Sequence, residues 1–223
     1  MMKQTGNRVC LLLHGFTGGP YEVEPLARAL EEAGWYCRVP RLPGHDEGLS
    51  GLCDTTCDMW LEAACREAEQ LGQEYGAFDL AGFSMRGMLG IHLAARYPVR
   101  KLALLSAAAI YVSPGRMVRN MWHIRHEERS VLQLKLKQTP AKAVLQFMRL
   151  VHRVRPDISR VAAPALVVQG LRDPIVHPVS ARYLSKRLPC VAETVYFPRS
   201  RHLLCLEEEA SDVICKVKDF FET

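Results

Sequence analysis

The sequence lacks an apolar segment long enough to cross a membrane. Its longest nearly apolar run, residues 102–112, is interrupted by Ser106 and is shorter than the roughly 20 residues that a spanning helix needs. The first residues of the chain lack the apolar core of a signal peptide. We therefore expect a soluble, cytoplasmic protein without a stable membrane anchor.

Features of disordered, fibrous or metal-dependent proteins are also missing. Hydrophobic residues make up 48% and charged residues 24% of the 223 residues, as in ordinary globular proteins. This length fits one domain, or one domain with an insertion, and supports a core without disulfides or metals. Among the eight cysteines, Cys53 and Cys57 have no matching second pair, so we predict no metal site. The cysteines expected in the core are Cys10, Cys65, Cys205 and Cys215.

The net charge of +5 is unevenly distributed. Residues 111–160 contain eleven Lys and Arg against three acidic residues, a local charge of +8, so the rest of the chain carries −3. One interpretation is attraction of an anionic substrate or membrane surface. The alternative, which we favour, is a solvated face of an accessory segment. No nucleic-acid-binding motif accompanies the charge, so we expect no nucleic-acid partner.

Strand and helix patterns alternate along most of the chain. Short apolar runs predict strands at residues 8–14, 35–40, 78–83, 99–107, 165–170 and 193–198. Helical patterns follow at residues 20–34, from Thr55 or Thr56 to about 75, 84–97, 178–188 and from about 208. This alternation predicts an α/β fold with a mostly parallel sheet and helices on both faces. Residues 1–108 and 161–223 form the predicted core, and the irregular residues 109–160 form a small inserted cap that includes a helix from about 141.

One serine lies where a strand runs directly into a helix. Ser84 follows Gly82 and Phe83, and Gly87 follows three residues later. This setting is typical of a nucleophile elbow, a sharp turn that exposes a serine hydroxyl at the start of a helix. The helix N-terminus helps to stabilise negative charge that develops there.

Two further residues could complete a catalytic triad with this serine. Asp173 comes shortly after the strand at 165–170, and His202 comes shortly after the last strand. Functional groups in parallel sheets gather beyond the carboxyl ends of strands. A serine nucleophile needs a base, and the base needs an orienting acid. We therefore predict Ser84, His202 and Asp173 as nucleophile, base and acid. Taken singly, each also has an ordinary structural interpretation: a buried turn, a helix cap and a loop histidine.

A glycine-rich turn follows the first strand, at residues 14–19. Such a turn can aim a backbone N–H at the space above the serine. We predict that the N–H groups of Phe16 and Met85 form an oxyanion hole. An ordinary strand-to-helix turn is the alternative.

Together these segments resemble the α/β-hydrolase superfamily over nearly the whole chain. More narrowly, they are similar to small bacterial carboxylesterases related to monoacylglycerol lipases. The resemblance lies in residues 14–18, 43–45, the serine elbow, 137–140, 167–169 leading to Asp173, and His202. It implies carboxylic-ester hydrolysis through an acyl-enzyme, with a small cap that forms the acyl pocket and no metal or organic cofactor.

The chain departs from this family at the second elbow glycine. The family pattern is G-x-S-x-G, but Arg86 stands at the second glycine and Gly87 one place later. Three interpretations stay open: Arg86 finds room and an acidic partner, the elbow is shifted and catalysis weakened, or the protein only binds a ligand. The intact Ser84, Asp173 and His202 favour activity.

The substrate implied is a small-molecule ester. An apolar pocket favours uncharged short or medium acyl chains, including monoglycerides, whereas the basic cap is compatible with an acidic acyl group. Candidate pocket residues in the cap are Met117, Met121 and Trp122, which alternatively pack on the core. A thioesterase or acyltransferase would use the same triad. The sequence does not define an oligomeric state.

Overall fold

Six parallel strands form one sheet in the computed structural model, which describes residues 8–16, 18–45, 51–110 and 141–223. Their spatial order is β2-β1-β3-β4-β5-β6. The predicted parallel sheet is therefore confirmed. The strands are β1 (Val9–Leu13), β2 (Tyr36–Arg38), β3 (Phe78–Phe83), β4 (Val99–Leu105), β5 (Ala165–Gly170) and β6 (Val191–Phe197).

Helices connect these strands and cover both faces of the sheet. In the described residues they are α1 (Glu24–Glu32), α2 (Cys57–Tyr75), α3 (Met85–Ala94), α4 (Ala141–Val154), α5 (Val179–Arg187) and α6 (Ala210–Glu222). Two short 3₁₀ segments, Pro20–Glu22 and Arg155–Arg160, precede α1 and follow α4. None of the described helices is long and apolar enough to cross a membrane.

Two apolar layers hold the helices against the sheet. One cluster joins α1 and α6 to one face through side chains such as Leu26 and Val217. The other cluster packs the four helices from α2 through α5 against the opposite face, and Trp60 and Leu150 are fully buried in it. This two-sided burial explains why the strands read as nearly continuous apolar runs.

One prediction about the core is wrong. Cys10 and Cys205 are buried and Cys65 is half-buried, but Cys215 is exposed. In α6 the buried positions are Val213, Val217 and Phe221, and at 3.6 residues per turn Cys215 lies on the opposite side of the helix.

The strand register brings the loops that carry the predicted site residues to one edge of the sheet. Leu13 at the end of β1 pairs with Gly82 near the end of β3, and Leu105 of β4 pairs with Phe83. Because all the strands are parallel, the loops after β1, β3, β5 and β6 all leave at their carboxyl ends.

The part of the predicted cap that the structure describes is hydrogen-bonded to the core. The Gln146 side-chain oxygen in α4 accepts the N–H of Cys57 at the start of α2, at 3.2 Å. Asp157, in the 3₁₀ segment after α4, accepts hydrogen bonds from Arg96 at 2.7 and 2.9 Å and contacts His92 Nδ1 at 2.9 Å. The cap boundaries at 109 and 160 stay a prediction, and residues 111–140 lie outside the described ones.

Candidate active site

The turn between β3 and α3 holds Ser84 in a strained backbone conformation. Its φ of 56° and ψ of −124° are rare for a residue with a side chain. The N–H of Ser84 donates to the Leu105 carbonyl at 2.8 Å, which ties the turn to the neighbouring strand. Such strain, fixed by the surrounding structure, is typical of a nucleophile elbow.

Glycines make this sharp turn sterically feasible. A Cβ at Gly82 would lie 2.8 Å from the Arg86 carbonyl oxygen, and a Cβ at Gly87 would lie 2.5 Å from the Ala107 Cβ. The close approach behind the elbow therefore falls at position 87, whereas the side chain of Arg86 finds buried space elsewhere. Arg86 therefore finds room, as the first of its three interpretations predicts, but its guanidinium makes no hydrogen bond to an acidic partner in the described residues.

The three predicted triad residues form one hydrogen-bonded chain. Asp173 Oδ2 lies 2.8 Å from His202 Nδ1, and His202 Nε2 lies 3.0 Å from Ser84 Oγ. All three side chains are buried. The geometry thus brings together residues that are separated by up to 118 positions in the sequence. Their catalytic roles stay predictions.

The Asp173 carboxylate is oriented by its own loop. Its Oδ1 accepts the N–H groups of Ile175 and Val176, each at 2.8 Å. Its Oδ2 accepts the Gln169 amide at 3.1 Å in addition to His202. Because Oδ1 is occupied by the backbone, Oδ2 faces the imidazole.

The His202 loop is fixed by two carboxylates that sequence reasoning missed. Glu207 accepts the backbone N–H groups of Arg201 and Leu203, one on each side of the histidine. Glu209 accepts the N–H and the hydroxyl of Ser200, both at 2.7 Å. The sequence signal for them is the run of three glutamates at 207–209, which begins five residues after the histidine.

Charges around His202 favour its protonated form. Burial acts to lower its pKa, but the charge and hydrogen bond of Asp173, with the charges of Glu22 and Glu207, raise the pKa above its ordinary value. A base of this kind is stronger than a free imidazole, which helps it to take a proton from a serine hydroxyl.

Three side chains hold three successive peptide groups in the loop after β1. Glu22 Oε2 accepts the N–H of Gly15 at 2.7 Å. His14 Nδ1 lies 3.2 Å from the Gly15 carbonyl oxygen, and His45 Nε2 lies 2.6 Å from that of Phe16. The peptide between Gly15 and Phe16 is planar, so a bond that fixes its C=O also fixes the opposite direction of the Phe16 N–H.

Burial disfavours the charged form of both loop histidines. Burial, followed by the nearby charge of Arg86, lowers the pKa of His14 to about 2 and also lowers that of His45. A neutral imidazole carries one N–H. We assign it to Nδ1 of His14, which faces the Gly15 carbonyl oxygen. His45 has a carbonyl oxygen at each ring nitrogen, that of Phe16 2.6 Å from Nε2 and that of Pro43 2.9 Å from Nδ1.

The predicted oxyanion donors follow neighbouring strands. Met85 is the first residue of α3, and Phe16 follows β1, which lies beside β3 in the sheet. The Phe16 ring packs against Trp60 and Phe147, each with ring centroids 5.6 Å away. The predicted pocket residues of the cap, Met117, Met121 and Trp122, lie outside the described residues.

Comparisons with known proteins agree with this combination of fold and site. A family model described as "alpha/beta hydrolase fold" matches residues 9–139, and one described as "Serine aminopeptidase, S33" matches residues 111–209. The first covers more than half of the chain. A parallel sheet with a serine elbow after its third strand defines an α/β-hydrolase, and this chain belongs to the α/β-hydrolase family.

Its relatives are named as enzymes that act on esters. The chain is 28% identical to a thermostable monoacylglycerol lipase of Bacillus sp. (strain H-257), over 95% of this chain and 89% of that protein. It is 24% identical to a carboxylesterase of Bacillus subtilis (strain 168), over 97% and 93%.

Solved structures share the fold at lower identity. A structure from work on LipS and LipT, two metagenome-derived lipolytic enzymes, has a TM-score of 0.80 at 19% identity, over 97% of this chain and 94% of that one. Monoacylglycerol lipase of Paleococcus ferrophilus has a TM-score of 0.71 at 15% identity, over 97% and 95%.

Proposed function

We propose that the protein hydrolyses uncharged carboxylic esters of short or medium acyl chains through an acyl-enzyme on Ser84. The chain is a carboxylic-ester hydrolase of the esterase and lipase type, as its relatives are. The observation that carries the finer proposal is the chain of hydrogen bonds from Asp173 through His202 to Ser84.

The mechanism follows from the direction of these hydrogen bonds. His202 Nε2 removes the proton from Ser84 Oγ while the oxygen attacks the ester carbonyl carbon. Asp173 holds the Nδ1–H and stabilises the imidazolium that forms. The N–H groups of Phe16 and Met85 stabilise the tetrahedral oxyanion. When the intermediate collapses, Nε2 donates the proton to the leaving alcohol.

The second half-reaction repeats these steps with water. His202 removes a proton from water, which attacks the acyl carbon, and Ser84 leaves as the alcohol while the carboxylic acid is released. No part of this sequence requires a cofactor. The order predicts that the alcohol is released before the acid, with a burst of alcohol wherever deacylation is slow.

Apolar side chains near the loop after β1 support an uncharged acyl group. Phe16, Trp60 and Phe147 form one aromatic cluster. Phe16 and Phe147 are half-buried and Trp60 is fully buried beneath them, so the two phenylalanines offer apolar contact area and disfavour a charged group that would lose its water.

Hydrolysis of p-nitrophenyl acetate, butyrate and octanoate tests the proposal. In Ser84→Ala we expect kcat to fall by about 10⁶-fold, because the nucleophile is lost. Ser106→Ala is the matched control: Ser106 is also buried and follows the neighbouring strand, and its hydroxyl has no hydrogen-bond partner among the described residues. It is expected to retain activity.

The outcomes separate the alternatives. Retained activity in Ser84→Ala would reject the assignment of the nucleophile. A folded wild-type protein that neither hydrolyses these esters nor reacts with a fluorophosphonate would support a ligand-binding protein. Faster turnover of acyl-thioesters would indicate a thioesterase. Faster turnover of esters with a negatively charged acyl chain would indicate an acidic acyl substrate.

A further inference from the structure

Arg86 is a buried cation directly behind the nucleophile. Its side chain has no exposed surface, and none of its three guanidinium nitrogens has a hydrogen-bond partner within the part of the chain that the structure describes. An uncompensated buried charge is strongly unfavourable. The fold therefore needs an opposite charge within reach of this guanidinium.

The acidic group whose charge acts on Arg86 is Glu22, through space and without a direct hydrogen bond. Burial lowers the pKa of Arg86 to about 9, and the negative charge of Glu22 acts in the opposite direction. At neutral pH the guanidinium is thus still protonated. Glu22 is itself buried, so the two charges interact with little screening by water.

The same carboxylate is part of the loop after β1. Glu22 Oε2 accepts the Gly15 N–H at 2.7 Å. A Cβ at Gly15 would lie 2.8 Å from that oxygen, and a Cβ at Gly18 would overlap the carboxylate. The carboxylate therefore fills the inner side of the turn, and glycines at both positions leave room for it.

We propose that Glu22 and Arg86 are a charge-compensating pair of positioning residues that sets the oxyanion loop. Glu22 fixes the N–H of Gly15, and the charge of Arg86 attracts this buried carboxylate and compensates its charge. The peptide that Glu22 holds directly precedes the one whose N–H belongs to Phe16, so the pair sets the start of the loop that carries the predicted oxyanion donor. The inference rests on the proposed function, and it gives Arg86 a role where the family pattern has a glycine.

A double-mutant cycle tests the pair. The variants are Glu22→Gln, Arg86→Met and the combination of both, and Glu24→Gln is the matched control, since Glu24 is two residues away and exposed. We expect each single variant to lower kcat for p-nitrophenyl butyrate by about tenfold, less than the loss of a whole oxyanion donor, with KM changed less than threefold. The double variant is expected to lose less than the product of the two single losses.

The pH profile separates positioning from a purely structural role. The charged groups that raise the pKa of His202 are Asp173, Glu22 and Glu207. Removal of the Glu22 charge should therefore move the acid limb of kcat/KM to lower pH. A role confined to packing would leave this limb in place, as Glu24→Gln is expected to do.

Urea unfolding of the same four proteins keeps this test separate from that of the ester chemistry. If the two charges are coupled, the urea midpoint of the double variant is higher than the midpoint expected from adding the shifts of the two single variants. This result would support the charge pair even in a protein without esterase activity, whereas additive midpoints together with additive kcat losses would overturn it. If Arg86→Met does not fold, Arg86→Lys and Arg86→Gln replace it. The charged lysine is then expected to retain more activity and stability than glutamine, and equal losses would reject the proposal.

Discussion

The acceptor pattern of Asp173 determines which proton His202 can take. Oδ1 accepts two backbone N–H groups, from Ile175 and Val176, so Oδ2 is left for the imidazole and for Gln169. With Nδ1 bound as a donor, Nε2 carries the lone pair that faces Ser84. One carboxylate orientation thus fixes the tautomer of the base.

Replacement of Asp173 by Asn should reverse this arrangement. The Asn oxygen keeps the two backbone N–H groups, and its NH₂ group then faces His202 Nδ1. Two donors cannot bond to each other, so the imidazole takes the other tautomer and Nε2–H can no longer accept the serine proton. We expect kcat to fall by about 10³- to 10⁴-fold, as for a triad with the wrong tautomer.

Steady-state kinetics with p-nitrophenyl butyrate measure this loss. The exposed Asp212 provides the control variant Asp212→Asn, which is expected to be as active as the wild type. An Asp173→Asn variant within tenfold of the wild-type kcat would contradict the assigned role.

Element boundaries show what local pattern can and cannot predict. The strands at 78–83 and 165–170 were predicted to the residue, because turn signals flank both runs. The strand predicted at 99–107 ends at Leu105, since Ser106 adopts a φ of 44° and leaves the sheet. The helix predicted at 20–34 is a 3₁₀ turn followed by α1, and Pro25 is accommodated in the first turn of α1.

Two glycines in helices are expected to respond oppositely to the same substitution. Gly87→Ala places a Cβ 2.5 Å from the Ala107 Cβ, so we expect overpacking to destabilise the protein by about 1–3 kcal/mol. Gly72→Ala in α2 meets only Pro98, with Cγ at 3.6 Å and Cδ at 3.7 Å, which are ordinary contacts. Alanine should stabilise that helix by about 0.5–1 kcal/mol.

Urea unfolding of both variants tests the packing behind the elbow. Gly72→Ala serves as the matched control, because it changes helix propensity without crowding. A stabilised Gly87→Ala would mean that α3 does not approach the end of β4 as closely as the elbow geometry requires. Loss of kcat in parallel with stability would link this approach to the position of Ser84.

At the scale of the whole molecule, the sequence predicted the order of the triad but not its supports. Ser84, Asp173 and His202 each follow a strand, so a parallel sheet alone places them at one edge. Glu22 and Arg86 are 64 positions apart in the sequence, and no local pattern indicates that the fold buries both. Their relation depends on the tertiary structure.

Two buried histidines and a half-buried one make the whole fold sensitive to acid. Burial is the first cause that lowers the pKa of His14, to about 2, and of His45 and His92. In the unfolded chain each has a pKa of about 6.5. Below this pH the unfolded state binds protons that the folded state does not, so stability falls as the pH falls.

Two other groups also make the stability depend on pH, His202 in the same pH range and Asp157 below it. The raised pKa of His202 contributes stability that is fully present below about pH 6.5 and is lost as the pH rises through its folded value. Arg96 and His92 hold the pKa of Asp157 below its usual value against the effect of burial. Asp157 therefore adds stability above about pH 4 that is lost as the pH falls through its folded pKa. His14, His45 and His92 lower the stability as the pH falls, and His202 acts in the opposite direction. We therefore expect a net loss of stability in acid.

Urea midpoints at pH 7, 6, 5 and 4 measure this balance. We expect a fall in the free energy of unfolding between pH 6 and pH 4, with each buried neutral histidine contributing up to about 1.4 kcal/mol per pH unit. His92→Asn removes one of these histidines and should flatten the dependence, whereas His152→Asn, at an exposed position of α4, should leave it unchanged. Midpoints that stay constant or rise from pH 7 to pH 4 would mean that the folded protein takes up these protons, and that the loop histidines are not held neutral.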